Sequence, residues 1–164
     1  MNLGMKNIST PKMIIFDHDG TLVNTDSPDF KLFPGIKELL VDLNAAGFEL
    51  SVWTARGHRS TEESLKTLQI AIFFSQIYGH DDGIAKPNPM GLAKISEGFM
   101  KEELLHIGDS LGDVEGAQAF GIEVIAACWS SSNQVEIFKR KTQFVALKPD
   151  DCRKMIAAKF NVNL

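Results

Sequence analysis

Acidic and phosphate-binding side chains occur where predicted strands of this chain end. Asp17 and Asp19 follow the first apolar run, Thr54 follows the second, Lys86 lies in the loop after the third, and Asp109 follows the fourth. Clustered carboxylates repel one another unless a cation neutralises them, and oxygen-only ligands favour a hard metal such as Mg²⁺. A lysine and a threonine beside such a metal suit the oxygens of a phosphate group. The residue types therefore predict a magnesium and phosphate site.

The elements that would position these residues alternate along the chain. Apolar or alternating runs predict strands at 13–16, 48–53, 72–78, 104–107, 122–127 and 143–145. Helical spacing predicts helices at 36–46, 60–68, 88–97, 113–120, 134–139 and 151–160. Ser60 with Glu63 three residues later is a capping-box pattern, which predicts that the second helix starts there.

Strands that alternate with helices predict an α/β fold: a three-layer Rossmann-like parallel sheet with helices on both faces. In such a sheet the carboxyl ends of the strands lie along one edge, where ligands bind. We expect a single domain over residues 1–164, with a core at about 12–130 and a strand and helix extension at 131–164. The segments between the candidate site residues have no room for a sizeable inserted domain that could cap the site. We expect residues 20–33 to form a small mobile flap beside it.

Asp17 and Asp19 are two residues apart, so their side chains diverge if the backbone stays extended. A turn at Gly20 would bring both toward one ligand. One carboxylate could then attack phosphorus while the other protonates the leaving oxygen and later activates water.

The order of these residues resembles the four motifs of the haloacid dehalogenase-like (HAD) superfamily of hydrolases. The segment Phe33-Pro34-Gly35 also resembles the family, and the likeness extends over about residues 13–127. The motif residues, in chain order, are Asp17-His18-Asp19-Gly20-Thr21, Thr54, Lys86, and Gly108-Asp109-Ser110 with Asp113.

The resemblance implies catalytic roles for four residues. Asp17 would be the nucleophile, Asp19 the general acid and base, and Thr54 and Lys86 the groups that hold the transferred phosphoryl group. Family dehalogenases lack an acid/base at the second position, so Asp19 favours phosphoryl transfer over carbon–halogen cleavage. The expected function is therefore hydrolysis of phosphomonoesters through an aspartyl-phosphate, with Mg²⁺ as cofactor.

The resemblance also implies a metal site made of Asp17, Asp19, Asp109 and Asp113. Asp19 would contribute its backbone carbonyl, and Asp113 would ligate the metal or support the residues that do. Asp113 has a second interpretation, because an acidic residue in the first turn of a helix is favoured by the helix dipole. Asp17 and Asp19 could likewise be turn formers beside Gly20.

Two other functions stay open at this point. A phosphotransferase or phosphomutase of the same superfamily would pass the phosphoryl group to a hydroxyl and not to water. A non-catalytic phosphate-binding or signalling domain, such as a receiver domain, also uses acids, Thr, Lys and Mg²⁺. A receiver domain has its phosphorylated Asp after the third strand, however, where this chain has none at the expected place.

The composition and the apolar pattern of the chain limit the kinds of partner and the cellular location that we expect. The net charge is −4 without a basic block, which disfavours nucleic acid. Cys128 and Cys152 lack metal or redox spacing, the segment 1–11 has no apolar signal core, and the longest apolar run, 122–129, cannot span a bilayer. We therefore expect a cytoplasmic protein without membrane contact. Its partner would be a phosphorylated substrate, either large enough to use an uncapped crevice or covered by a second subunit.

Overall fold

A computed structural model describes residues 10–130 and 134–164. The strands are β1 (Met13–Phe16), β2 (Val23–Asn24), β3 (Lys31–Leu32), β4 (Glu49–Trp53), β5 (Gln76–Tyr78), β6 (Leu104–Gly108), β7 (Glu123–Ala127) and β8 (Val145–Ala146). The α-helices are α1 (Ile36–Ala45), α2 (His58–Thr67), α3 (Met90–Ile95), α4 (Leu111–Phe120), α5 (Val135–Lys139) and α6 (Pro149–Phe160). Two short 3₁₀ helices lie at Ala71–Phe73 and Lys101–Glu103.

Six strands form one parallel sheet in the order β5-β4-β1-β6-β7-β8. From β1 the chain continues to β4 and β5 on one side, and then returns to β6 on the other side of β1. The carboxyl ends of β1 and β6 therefore flank the point where the strand order reverses. In open α/β sheets this switch point is where a crevice forms.

Helices cover both faces of the sheet, because the strands are apolar on both sides. Along β1, Ile14 and Phe16 pack in one core, and Met13 and Ile15 pack in the other; all four side chains are fully buried. The first core includes the inner faces of α1, α2 and α6, and the second includes those of α3, α4 and α5. The three-layer α/β architecture expected from the sequence is confirmed.

The predicted flap at residues 20–33 forms a short antiparallel hairpin from β2 and β3, referred to below as the hairpin. Its base is fixed to the core: Phe33 N donates to Leu22 O at 3.1 Å, and Trp129 Nε1 donates to Thr21 O at 3.0 Å. Within the described residues no domain is inserted between the motifs, so the expectation of a fold without a sizeable cap is confirmed.

The predicted strand at 72–78 is wrong in its first half. Residues Ala71–Phe73 form a 3₁₀ helix, in which Phe73 N donates to Ile70 O at 3.1 Å, and only Gln76–Tyr78 join the sheet. Ile72 is 87% exposed, whereas Phe73 and Phe74 pack against the first core from outside the sheet.

The capping box predicted at Ser60 and Glu63 is also wrong. Helix α2 already begins at His58 with Gly57 as its N-cap, and the Ser60 hydroxyl accepts a hydrogen bond from Arg56 Nε at 2.8 Å. Glu63 pairs with Arg59 on the helix surface.

Other element ends differ from the predictions by a few residues. Helix α3 is shorter than predicted, and α4 and α6 start earlier. Strand β8 pairs with β7 within the main sheet. The proposed boundary at 131 and most of the segment 1–11 lie outside the described residues. No helix in the described part of the chain is both long and apolar enough to cross a membrane.

Candidate active site

The turn after β1 brings two strand ends together. Asp17 N donates to Ile107 O at 2.9 Å, which ties the end of β1 to β6. Gly20 lies in the left-handed region, with φ of +78°. A Cβ at this position would lie 2.0 Å from Oδ2 of Asp109, so only glycine lets the turn approach the Asp109 carboxylate this closely.

Lys86 connects two carboxylates, one that follows β1 and one in the first turn of α4. Its Nζ donates to Asp17 Oδ1 at 2.9 Å and to Asp113 Oδ1 at 2.5 Å. The side chain of Lys86 is 7% exposed, and its Nζ lies 4.6 Å from the centre of the Trp53 ring. Burial opposes the charge on Lys86, but Asp17 and Asp113 outweigh it and raise the pKa of the ammonium. The lysine is therefore held as a cation beside Asp17.

Asp113 serves both the helix and the site. As the third residue of α4 it forms a capping box with Ser110: Asp113 Oδ2 accepts from Ser110 N at 3.0 Å and from Ser110 Oγ at 2.6 Å. Its Oδ1 accepts from Lys86 and from His106 Nε2. Burial opposes ionisation of Asp113, but Lys86 and His106 outweigh it and lower its pKa. Asp113 is thus an acid of the first helical turn, and it also contacts Lys86 among the predicted site residues.

His106 is a residue of this network that the sequence interpretation missed. It is fully buried on β6, with Nε2 2.9 Å from Asp113 Oδ1 and Nδ1 2.8 Å from Ile15 O. Both partners are oxygen atoms that accept hydrogen bonds, so the two ring nitrogens are the groups in a position to donate. A histidine inside the apolar strand Leu104–Gly108 was the signal that could have identified it.

Asp17, Asp109 and Asp113 form a cluster of carboxylates, with one oxygen from each within 4.8 Å of the others. Burial, followed by repulsion from Asp17, raises the pKa of Asp109 to about 8. Burial also raises the pKa of Asp17, although Lys86 opposes that shift. Carboxylates whose ionisation is disfavoured in this way fit a hard divalent cation, which would neutralise them. These three residues could therefore hold Mg²⁺.

Asp19 does not join this cluster. Its Oδ1 accepts a hydrogen bond from Arg56 Nη1 at 3.2 Å, and its Oδ2 lies 3.4 Å from Nδ1 of the buried His18. Burial opposes the charge on Asp19, but His18 and Arg56 outweigh it and lower the pKa of Asp19. Arg56 was not among the site residues expected from the sequence; its place two residues after Thr54 was the available signal.

Thr54 follows β4 and is 2% exposed. Its backbone N donates to Tyr78 O at 3.0 Å, and its Oγ1 accepts from Arg56 N at 3.1 Å. A hydroxyl that accepts one hydrogen bond still has its own proton to donate. Thr54 can therefore donate to a ligand at the carboxyl edge of the sheet.

Together, the sheet and its edge define a Rossmann-like α/β protein in which carboxylates and a lysine meet at the switch point, with a threonine at the same edge of the sheet. The chain belongs to the haloacid dehalogenase-like hydrolase family, whose pattern it matches over residues 26–127. That match begins after Asp17–Thr21, so the first motif is supported by the sequence and geometry described above.

Three similar proteins illustrate the relationship. A phosphoglycolate phosphatase of Salmonella choleraesuis is 37% identical over 93 residues, which are 55% of this chain and 37% of the relative. The chain thus spans well under half of that protein's length. A structure from Haemophilus somnus, described as a predicted phosphoglycolate phosphatase, has a TM-score of 0.79 at 19% identity over 91% of this chain and 99% of its own. A haloacid dehalogenase-like hydrolase of Streptococcus pneumoniae has a TM-score of 0.77 at 21% identity over 88% and 98%.

Proposed function

We propose that this protein is a Mg²⁺-dependent phosphomonoester hydrolase in which Asp17 is the nucleophile and Asp19 the general acid and base. The observation that carries the proposal is the contact between Asp17 and Lys86 inside a buried carboxylate cluster. A lysine there would attract the phosphate dianion toward the attacking carboxylate. The family and the name of the Salmonella relative support the same chemistry.

In the first step an oxygen of Asp17 forms a bond to phosphorus while the bond to the ester oxygen breaks. Lys86 and Thr54 hold the non-bridging oxygens of the phosphoryl group, with a charge and a hydroxyl donor respectively. The product of this step is an aspartyl-phosphate on Asp17 and an alcohol. Lys86 keeps the nucleophile oriented, because it also bonds to the fixed Asp113.

Asp19 would supply the proton that the departing oxygen requires and later remove one from water. It lies two residues beyond Asp17 and directly before the turn at Gly20, and its side chain is about one-third exposed. A bound phosphate dianion would raise the pKa of Asp19 by repulsion, which favours the protonated acid at the start of the reaction. Attack of the activated water on phosphorus then releases phosphate and restores Asp17.

The metal would be held by Asp17 and Asp109, with the backbone carbonyl of Asp19 as a further ligand. Asp113 would support these ligands and not bind the metal directly, because each of its carboxylate oxygens already accepts two hydrogen bonds. When bound, Mg²⁺ would neutralise charge on the phosphate and on the carboxylates. The raised pKa of Asp109 supports a cation at this position.

The substrate is proposed as a phosphorylated compound, and 2-phosphoglycolate is the first to test because the Salmonella relative is named for it. A large substrate could enter the uncapped crevice, or a second copy of the chain could cover the crevice. Size-exclusion chromatography separates these two options, since a strict monomer removes the second one.

We also propose a cytoplasmic location, supported by Cys128 and Cys152, which are both free.

The test is release of inorganic phosphate from a panel of phosphate esters, with MgCl₂ or with EDTA. We expect turnover only with MgCl₂ and a loss of at least about a thousandfold in Asp17→Asn. Equal activity of the variant would remove Asp17 as nucleophile. Added acceptor alcohols distinguish a phosphotransferase, which would form new esters and release less phosphate. Binding of esters without any turnover would indicate the non-catalytic alternative.

A further inference from the structure

We propose that Arg56 determines substrate specificity by binding an anionic group, a carboxylate or a second phosphate, on the leaving group of the substrate. The proposal rests on the phosphatase function proposed above and adds the substrate class. It follows from how Arg56 is held, from the groove that it lines and from the pairing of the charges around it.

The guanidinium of Arg56 is fixed in place beside the proposed acid/base. Nη1 donates to Asp19 Oδ1 at 3.2 Å, and Nε donates to Ser60 Oγ at 2.8 Å. Its Cζ lies 6.0 Å from the centre of the Phe30 ring at the tip of the hairpin. Nη2 has no hydrogen-bond partner in the described part of the chain, and the side chain is 28% exposed. One face of a pre-oriented cation is therefore open to a ligand.

A groove of about 390 Å³ runs between the hairpin and α2, and Arg56 lines it. Because Arg56 also contacts Asp19, the groove starts beside the residue that would protonate the leaving oxygen. In an in-line displacement the leaving group lies on the side of phosphorus opposite Asp17. Asp19 must reach the same oxygen, so the rest of the leaving group points toward this groove.

The other charged residues of the groove are already paired. Lys31 contacts Asp29 at 3.0 Å, and Glu63 contacts Arg59 at 2.9 Å. Lys31 is 74% exposed, whereas Arg56 is 28% exposed and is held by both Asp19 and Ser60, so Arg56 is the pre-oriented cation of the groove. A planar guanidinium matches the two oxygens of a carboxylate or phosphate better than an ammonium does. The ring of Phe30, 44% exposed, adds an apolar surface for the carbon chain between the two anionic ends.

The direct test is a binding measurement with Asp17→Asn, which should hold substrate without turning it over. Isothermal titration in MgCl₂ compares 2-phosphoglycolate with ethyl phosphate, which has a methyl group in place of the carboxylate; ethylene glycol bisphosphate tests a second phosphate as the anion. We expect the anionic esters to bind about 10- to 100-fold more tightly than ethyl phosphate. Adding Arg56→Met should remove that ratio, and Arg56→Lys should retain part of it.

Arg59→Met is the matched control, because Arg59 lies three residues along but is 89% exposed and paired with Glu63. It should keep the full ratio, which shows that loss of one positive charge is not the cause. A ratio near one in Asp17→Asn, or a ratio that Arg56→Met leaves unchanged, would overturn the proposal. Circular dichroism confirms folding of each variant, and Arg56→Lys provides the comparison if Arg56→Met does not fold.

Kinetics of the wild-type protein, which retains Asp17, separate the proposed phosphatase function from the proposed role of Arg56. Phosphate release from both esters, without a preference for the anionic one, would overturn the inference about Arg56 and keep the phosphatase function. A binding preference that depends on Arg56, in a protein that releases phosphate from neither ester, would overturn the phosphatase function and keep Arg56 as an anion-binding residue.

Discussion

Nζ of Lys86 lies 2.5 Å from Oδ1 of Asp113, and both side chains are almost completely buried. Asp113 is fixed in turn by Ser110 at the start of α4. Lys86 lies in the loop after β5, whereas α4 follows β6, on the other side of β1. The lysine that would bind phosphate is therefore positioned by a helix from the opposite half of the sheet. This relationship couples the stability of the fold to the geometry of the site.

Replacing Asp113 with Asn should destabilise the protein and weaken catalysis. The amide removes the negative charge that Lys86 and His106 contact at Asp113, and breaking a buried pair in this way costs about 3–5 kcal/mol. Urea denaturation at neutral pH measures the change in unfolding free energy. Asp150→Asn is the control, because Asp150 forms its ion pairs on the surface and its replacement should change little. A similar loss in both variants would contradict the coupling.

Gly20→Ala should abolish activity for a reason beyond backbone strain. The new Cβ would lie 2.0 Å from Oδ2 of Asp109 and displace that carboxylate. Gly47 has a similar φ, +84° against +78°, but no atom lies within 4 Å of its would-be Cβ. Both alanine variants should lose about 1–2 kcal/mol from the left-handed backbone, and only Gly20→Ala should lose phosphate release. Full activity in a folded Gly20→Ala would show that the turn tolerates a side chain.

Divalent cations should stabilise the protein more at high pH than at low pH. The pKa of Asp109 is about 8 in the folded protein against 3.8 ordinarily. Between these values the folded form binds more protons than the unfolded chain, so without metal the unfolding free energy falls as pH rises through this window. A cation that neutralises the cluster removes that penalty. Melting temperatures with MgCl₂ and with EDTA, at about pH 5.5 and about pH 8.5, measure the difference.

Asp109→Asn is the control for this pH effect. It removes the titrating group, so the variant without metal should be more stable than the wild type at the higher pH, and its response to MgCl₂ should be small. An unchanged Mg²⁺ response in Asp109→Asn would place the cation elsewhere. The lowered pKa of Asp113 acts outside this window, because its stabilisation is present above 3.8 and is lost only as pH falls below that value.

His106→Leu should weaken the fold through two lost hydrogen bonds. Ile15 O would lose its side-chain partner, and Asp113 Oδ1 would keep only Lys86. A lost hydrogen bond to a charged group costs about 1.5–3 kcal/mol, so the midpoint of urea denaturation should fall clearly. His80→Leu changes a histidine whose side chain is largely exposed, and it should leave the midpoint nearly unchanged. Equal midpoints for the two variants would argue against the buried network.

The positions of the candidate site residues could be predicted from the sequence because these residues lie just after predicted strands. Asp17, Thr54 and Asp109 each follow a strand whose apolar residues are readable locally, and parallel strands end on one edge. The glycine after Asp19 likewise indicated a turn. The strand at 72–78 failed because its apolar residues pack partly as a 3₁₀ helix at the surface, which local pattern alone does not distinguish.

By itself, the sequence determined the α/β class, the family and the set of acids, lysine and threonine at the edge of the sheet. Only the tertiary structure decided which of them pair: Lys86 with Asp17 and Asp113, Asp19 with Arg56, and His106 beneath Asp113. The physical reason is that the succession of strands and helices along the chain follows from local hydrophobic patterns. Side-chain pairs between residues many positions apart follow from how the packed layers orient them, and this orientation exists only in the folded chain.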